Sequence, residues 1–156
     1  MKKVLWKVAA CMAVVLMSFS VYSCGDDDDE NVGSRDSLIG TWNGVHYLDQ
    51  EWEGGEMIYN HKEDLVNGPS RYSIEFKEDG TYVDTDVHVS TGSTTHYHGK
   101  WSYSGNKLTL IDMEDDYSEV WTVTKLTETE LVYELREKEN EDGSVIEYYE
   151  QHAFVR

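Results

Sequence analysis

This chain has few of the devices that usually staple a small fold. It has two cysteines, Cys11 and Cys24, and a single proline, Pro69. Beyond residue 22 no stretch keeps a helical apolar period for a useful length, and none is apolar enough to cross a bilayer. Positive charge is scarce: 13 Lys and Arg stand against 31 Asp and Glu, a formal charge of −18. Such an acidic chain repels phosphate backbones and anionic headgroups, which excludes nucleic acid and anionic lipid as expected partners. Catalytic signatures are missing too. There is no Gly-x-Ser-x-Gly elbow, no phosphate-binding loop and no Cys-x-x-Cys pair. Without a nucleophile and base at a working spacing, the chain is not expected to be an enzyme, and no cofactor is implied.

What is present begins with the N-terminus. Lys2, Lys3 and Lys7 form a basic leader, residues 8–22 are almost wholly apolar, and Ser23 is a small residue just before Cys24. That is the pattern of a secretory signal, residues 1–23, too short for a membrane span. Residues 2–24 resemble a bacterial lipoprotein signal, in which the cysteine is acylated and becomes the new N-terminus. Val21 stands where leucine is usual and Tyr22 where a smaller residue is usual. The alternative is an ordinary cleaved signal, which would leave an unpaired exposed thiol near the cut. The resemblance implies that acylated Cys24, with about 0.8 kcal/mol per buried CH2, holds the protein to a membrane.

Asp26, Asp27, Asp28, Asp29 and Glu30 follow, a run that must stay solvated in a linker over residues 24–36. The tract resembles the signal by which some Gram-negative bacteria export lipoproteins to the outer face of the outer membrane. Gly25 occupies the position where aspartate would resemble an inner-membrane retention signal. The expected location is therefore the outer membrane, lipid-anchored and exposed on the cell surface. A plain acidic spacer is the other reading. Removing residues 1–23 takes away three lysines and no acids, leaving 10 bases against 31 acids and a formal charge of −21. With Cys11 removed and Cys24 acylated, no disulfide forms within the mature chain, so its core must supply the stability.

Residues 37–156 are one domain's worth of chain. Their apolar period is two nearly throughout, with turn signals at short intervals. Strands are expected over residues 38–48, 72–76, 81–89, 95–103, 107–111, 119–125, 131–136 and 144–155, with Gly105-Asn106 a two-residue hairpin turn. Residues 51–69 read as a long polar loop. Eight sequential strands predict an all-β, antiparallel up-and-down barrel, whose closure removes exposed edges.

Several short motifs carry a family resemblance: Leu38-Ile39-Gly40-Thr41-Trp42, Ile74-Glu75-Phe76 with Asp79-Gly80-Thr81, Gly99-Lys100-Trp101, Asn106 to Leu110, Trp121-Thr122-Val123 and Leu131-Val132-Tyr133. The chain resembles a bacterial lipocalin-like domain of secreted lipoproteins. Gly40-Thr41-Trp42 is similar to the Gly-x-Trp of lipocalins, which implies that Trp42 plugs the closed end. The chain departs from lipocalins in having no helix after its last strand and no disulfide.

Alternation places Trp42, Tyr72, Ile74, Phe76, Val83, Val87, Trp101, Tyr103, Leu108, Leu110, Trp121, Val123, Leu131, Tyr133, Ile146 and Tyr148 on the inner face. Glu75, Asp84, Glu134, Glu147 and Glu150 are expected on the solvated face. Eight strands enclose either packed side chains or one small ligand. If a ligand is held, Trp42, Tyr72, Phe76, Trp101, Trp121 and Tyr133 are the candidate contacts, and the mouth lies near residues 51–69. One further constellation depends on register. If residues 90–94 form the turn, His88 faces His96 and Asp86 faces His98, three imidazoles and a carboxylate suited to zinc. A polar outer face on which the histidines merely sit is the alternative.

Two functions follow as expectations. The first is non-catalytic binding of a small, partly apolar molecule. The second is a filled barrel that contacts a protein or glycan through its outer face and loops.

Overall fold

The structure is a computed structural model that describes residues 33–156 except Asp142. The expected signal peptide, Cys24 and the acidic tract fall outside the described residues. The described residues begin within the expected linker, where Arg35 and Asp36 open a one-turn helix, α1 (Arg35–Leu38).

Nine antiparallel strands follow: β1 (Gly40–Glu53), β2 (Glu56–Asp64), β3 (Ser70–Phe76), β4 (Thr81–His88), β5 (Ser93–Ser104), β6 (Lys107–Asp112), β7 (Ser118–Leu126), β8 (Glu130–Glu141) and β9 (Ser144–Val155). Strands β3 to β9 pair in sequence, and β9 pairs back on β1, which closes an eight-stranded barrel of β1 and β3–β9. The expected up-and-down barrel is therefore the observed one. The ninth strand, β2, lies where the sequence reads as loop. Gly54 and Gly55, with φ of 58° and 89°, make a two-residue turn in the left-handed region, and Glu53 then pairs with Glu56.

Strand β1 shares one edge between two partners. Its first four residues pair with β3, from Gly40↔Phe76 to Asn43↔Ser73. From His46 onward the same edge pairs with β2. The handover occurs at Gly44, where a Cβ would come within 2.8 Å of Leu65 Cδ1 and 3.0 Å of the Tyr72 carbonyl oxygen. The lack of a side chain there lets Leu65 fold inward and become buried. Above this point β2 replaces β3 beside β1, and the barrel wall opens.

The core fills the end where β1 starts. Leu38, Trp42, Ile74, Phe76, Leu108, Val123, Leu131 and Phe154 are almost completely buried there, each apolar side chain contributing about 1.5–3 kcal/mol. Trp42 Nε1 donates to the Leu38 carbonyl at 2.8 Å, and the Arg156 guanidinium lies 3.9 Å over its ring. The same guanidinium donates to the carbonyls of Ser37 and Ile39. The Arg35 guanidinium likewise lies over the Trp101 ring, 4.6 Å from its centre. Trp42 thus takes the position that the sequence motif implies.

On β4 the sequence reading of faces is inverted. Phe76 pairs with Tyr82 and Ile74 with Asp84, so Tyr82, Asp84 and Asp86 share the inner face while Val83 and Val87 point outward. Gly99 accommodates the Tyr82 ring: a methyl there would overlap that ring and the Ile111 carbonyl oxygen.

Candidate functional site

Above the packed end the barrel is hollow. A cavity of about 430 Å³ runs up to the break between β2 and β3, within the range of small-molecule sites. Its deep wall carries Tyr72, Tyr82, Trp121, Tyr133 and His152, and its upper wall Tyr47, Glu63, Leu65, Asp86, Tyr97 and Tyr117. Tyr97 and Tyr117 are about half exposed, at 45% and 56%, and mark the rim. The mouth lies beside β2, in the region expected from residues 51–69, although those residues are mostly strand.

Of the six candidate contacts, Tyr72, Trp121 and Tyr133 line the cavity. Trp42, Phe76 and Trp101 belong to the packed end below it, with Phe76 and Trp101 edge to face at 5.1 Å. The expected alternative of a filled barrel thus describes one half of the molecule and the expected cavity the other.

The unexpected feature is the acid. Asp84, Asp86, Asp112, Glu119, Glu150 and Glu63 all line the cavity, and no lysine or arginine does. Asp84 and Glu150, expected on the solvated face, are inside it. Burial pushes the Asp84 carboxyl up to about 7, the Asp112 charge adding to this and a hydrogen bond with Tyr72 opposing it. Burial likewise raises Glu150 to about 7, with the charges of Asp49, Glu119 and Glu137 in the same direction and a hydrogen bond with Tyr47 against it. Glu119 is raised mainly by burial while accepting a hydrogen bond from Trp121 Nε1 at 3.1 Å.

His152 stands among these groups in a nest of rings: Tyr47 at 4.8 Å, Trp121 at 5.2 Å, Tyr133 at 5.3 Å and Tyr72 at 5.9 Å between centres. Burial, aided by His46, pushes its imidazole down to about 4, so it is neutral at physiological pH. Its Nδ1 and the Asp84 Oδ1 are enclosed and have no hydrogen-bond partner.

The sequence held a signal for part of this set. Ile146 and Tyr148 are on the expected inner face, and the same alternation continued along β9 reaches Glu150, His152 and Phe154, opposite Leu135, Tyr133 and Leu131. Asp84 offered no such signal, because Val83 and Val87 suggested the opposite face.

The histidine constellation is dispersed. The β4–β5 hairpin pairs His88 with Ser93, Asp86 with Thr95, Thr85 with His96 and Val83 with His98. The register differs from the expected one by an odd number of residues, so His96 and His98 lie on the face opposite Asp86 and His88. His96 Nδ1 instead lies 3.1 Å from the Thr85 hydroxyl. Among the described residues no group of three or more His, Cys, Asp or Glu side chains is placed to hold a metal ion.

Comparison with known proteins places this barrel. The family model of the lipocalin-like domain matches residues 38–133. The chain belongs to the lipocalin-like domain family. Among solved structures, this lipocalin-like domain is similar to insecticyanin from the tobacco hornworm Manduca sexta, with 12% identity and a TM-score of 0.56. That match covers 85% of this chain and 68% of insecticyanin, and it supports the shared fold. A lipocalin-like protein from Bacteroides uniformis ATCC 8492 matches at 14% identity and a TM-score of 0.45, over 72% of this chain and 96% of that one. An uncharacterized protein from Bacteroides eggerthii DSM 20697 matches at 13% identity and a TM-score of 0.43, over 72% and 98% of the two chains. A search of the curated proteins finds no match.

Proposed function

We propose that this protein is a non-catalytic, lipid-anchored surface protein whose barrel holds one small, partly apolar molecule. The observation that carries the reading is the hollow half of the barrel, a cavity of about 430 Å³ lined by Tyr72, Trp121 and Tyr133 beside polar groups. A cavity of this size with aromatic walls and a few converging polar groups is what a small-molecule site requires. Two features support the anchoring half of the reading: the lipoprotein-like residues 2–24 and the acidic run that follows. The described chain enters at α1, at the packed end. A tether attached there leaves the mouth free to face the medium.

The binding half is tested by titrating the full-length chain, in detergent, with an environment-sensitive apolar dye. Saturable binding that quenches tryptophan emission is expected. Leu110→Trp, which fills the cavity, should weaken binding about tenfold or more, whereas Val120→Trp on the exposed outer face should not. Equal binding by the two variants would place the dye elsewhere. The anchoring half is tested by fractionation. Cys24→Ala should release the protein from the membrane fraction or leave it unprocessed, and Cys11→Ala should change neither.

A further inference from the structure

We propose that the molecule held in the cavity is an organic cation, a primary or secondary ammonium on an aromatic or apolar body. The inference rests on the binding reading above and names the ligand's chemistry.

Charge is the first argument. Six carboxyl groups line one cavity, four within it and two at its mouth, and no lysine or arginine lines it to compensate them. An anionic ligand would add to this repulsion, and a neutral one would leave Asp84 and Glu150 to relieve it only by holding protons, whereas a cation lets them ionise. The acids at the mouth, Glu63 and Asp86, extend the negative field outward and favour entry of a cation.

Two enclosed polar atoms on the cavity wall, Asp84 Oδ1 and His152 Nδ1, lack any partner. Buried polar atoms in folded proteins nearly always have one. The Asp84 carboxyl also hydrogen-bonds with Tyr72, which leaves Oδ1 as the oxygen without a donor. An ammonium group carries two or three N–H donors and no acceptor. His152 is neutral and offers a lone pair when its other nitrogen holds the proton, so it can receive such a donor without repelling the charge.

The third argument concerns the body of the ligand. Tyr72, Trp121 and Tyr133 line the cavity around His152. Aromatic faces attract cations and pack against apolar groups, so these walls suit both halves of an arylalkylamine. A bare metal ion would leave the aromatic walls unused, and the acids are not grouped to coordinate one.

The test is a charge series at nearly constant shape: 2-phenylethylamine, 2-phenylethanol and 3-phenylpropanoate, titrated calorimetrically into the full-length chain at pH 7.5 and low salt. The amine should bind about tenfold more tightly than the alcohol, and the acid more weakly than either. Asp84→Asn should weaken the amine about tenfold while changing the alcohol less than about twofold. Glu150→Gln, which is closer to the mouth, provides a second variant with the same expected pattern. If the alcohol or the acid binds as tightly as the amine, the cation proposal is overturned while the binding cavity stands. If none of the three binds and the apolar dye does not bind either, both readings fail. Saturable uptake of calcium or zinc in place of the amine would reassign the acids to a metal and overturn the proposal.

Discussion

Replacing Trp42 with alanine should remove about 4–6 kcal/mol of folding stability. The indole is wholly buried, so truncation opens a large cavity at the packed end, a change that costs about 3–5 kcal/mol in protein cores. It also leaves the Leu38 carbonyl without its donor and removes the surface on which Arg156 rests. A lost hydrogen bond of this kind adds about 1 kcal/mol. A domain of this size has only about 5–15 kcal/mol in total. Urea denaturation followed by far-ultraviolet circular dichroism should show the midpoint falling by about a quarter or more. Trp42→Phe keeps most of the apolar volume and should lose about half as much, while Trp52→Ala, on the outward side of β1, should cost less than about 1 kcal/mol. A Trp42→Ala protein with an unchanged midpoint would show that the packed end is not what closes the barrel.

Such a result bears on how far this fold can be read from its sequence. Eight barrel strands were legible because each buries one face, which imposes a period of two. Strand β2 was not, since nearly all its residues are exposed on both faces. Only Gly54-Gly55 hinted at a hairpin there. The cause is the shared edge of β1: β2 pairs with β1 alone, and although Glu63 lines the cavity, no residue of β2 joins the packed core. The end of β8 was missed for a related reason, because the largely charged run 137–141 pairs with β9 along its whole length yet shows no apolar alternation.

The misreading of β4 has a different origin. Hydrophobicity assigns Val83 and Val87 inward, and in a filled barrel that assignment would be right. Here the register with β3 turns Asp84 and Asp86 inward instead. The inner face is apolar only as far as the packing extends. Above Ile74 and Phe76 the interior is a polar cavity, and inside and outside are no longer told apart by polarity. The same ambiguity hid Glu150 and His152, although the alternation along β9 pointed to them. Candidate contacts chosen for their aromatic character therefore divide by height: Trp42, Phe76 and Trp101 in the packing, Tyr72, Trp121 and Tyr133 on the cavity wall.

Stability should fall as pH rises from about 4.5 to 7.5, and Asp84→Asn should abolish much of that fall. A carboxyl ordinarily near 3.8 is held at about 7 by burial. Between those values the folded protein keeps a proton that the unfolded chain gives up, so folding is favoured at low pH and loses ground as the proton leaves. A shift of this size corresponds to up to about 4 kcal/mol once Asp84 is fully ionised. Glu150 acts in the same direction, with a smaller effect because it is less enclosed. His152 opposes them: held near 4, it makes the folded state bind fewer protons than the unfolded chain below about 6.5. Two carboxyls against one imidazole leave a net decline of at most about 1.4 kcal/mol per pH unit through the middle of the window, less the screening of the partly exposed Glu150. Asparagine keeps the shape of Asp84 and an oxygen for Tyr72 without the charge. The variant should match the parent near pH 4.5 and exceed it by about 2–4 kcal/mol at pH 8, measured by urea titration across that range. Equal stability of the two proteins at pH 8 would mean that water reaches Asp84 freely, and the cavity would then be a wet cleft without an electrostatic character of its own.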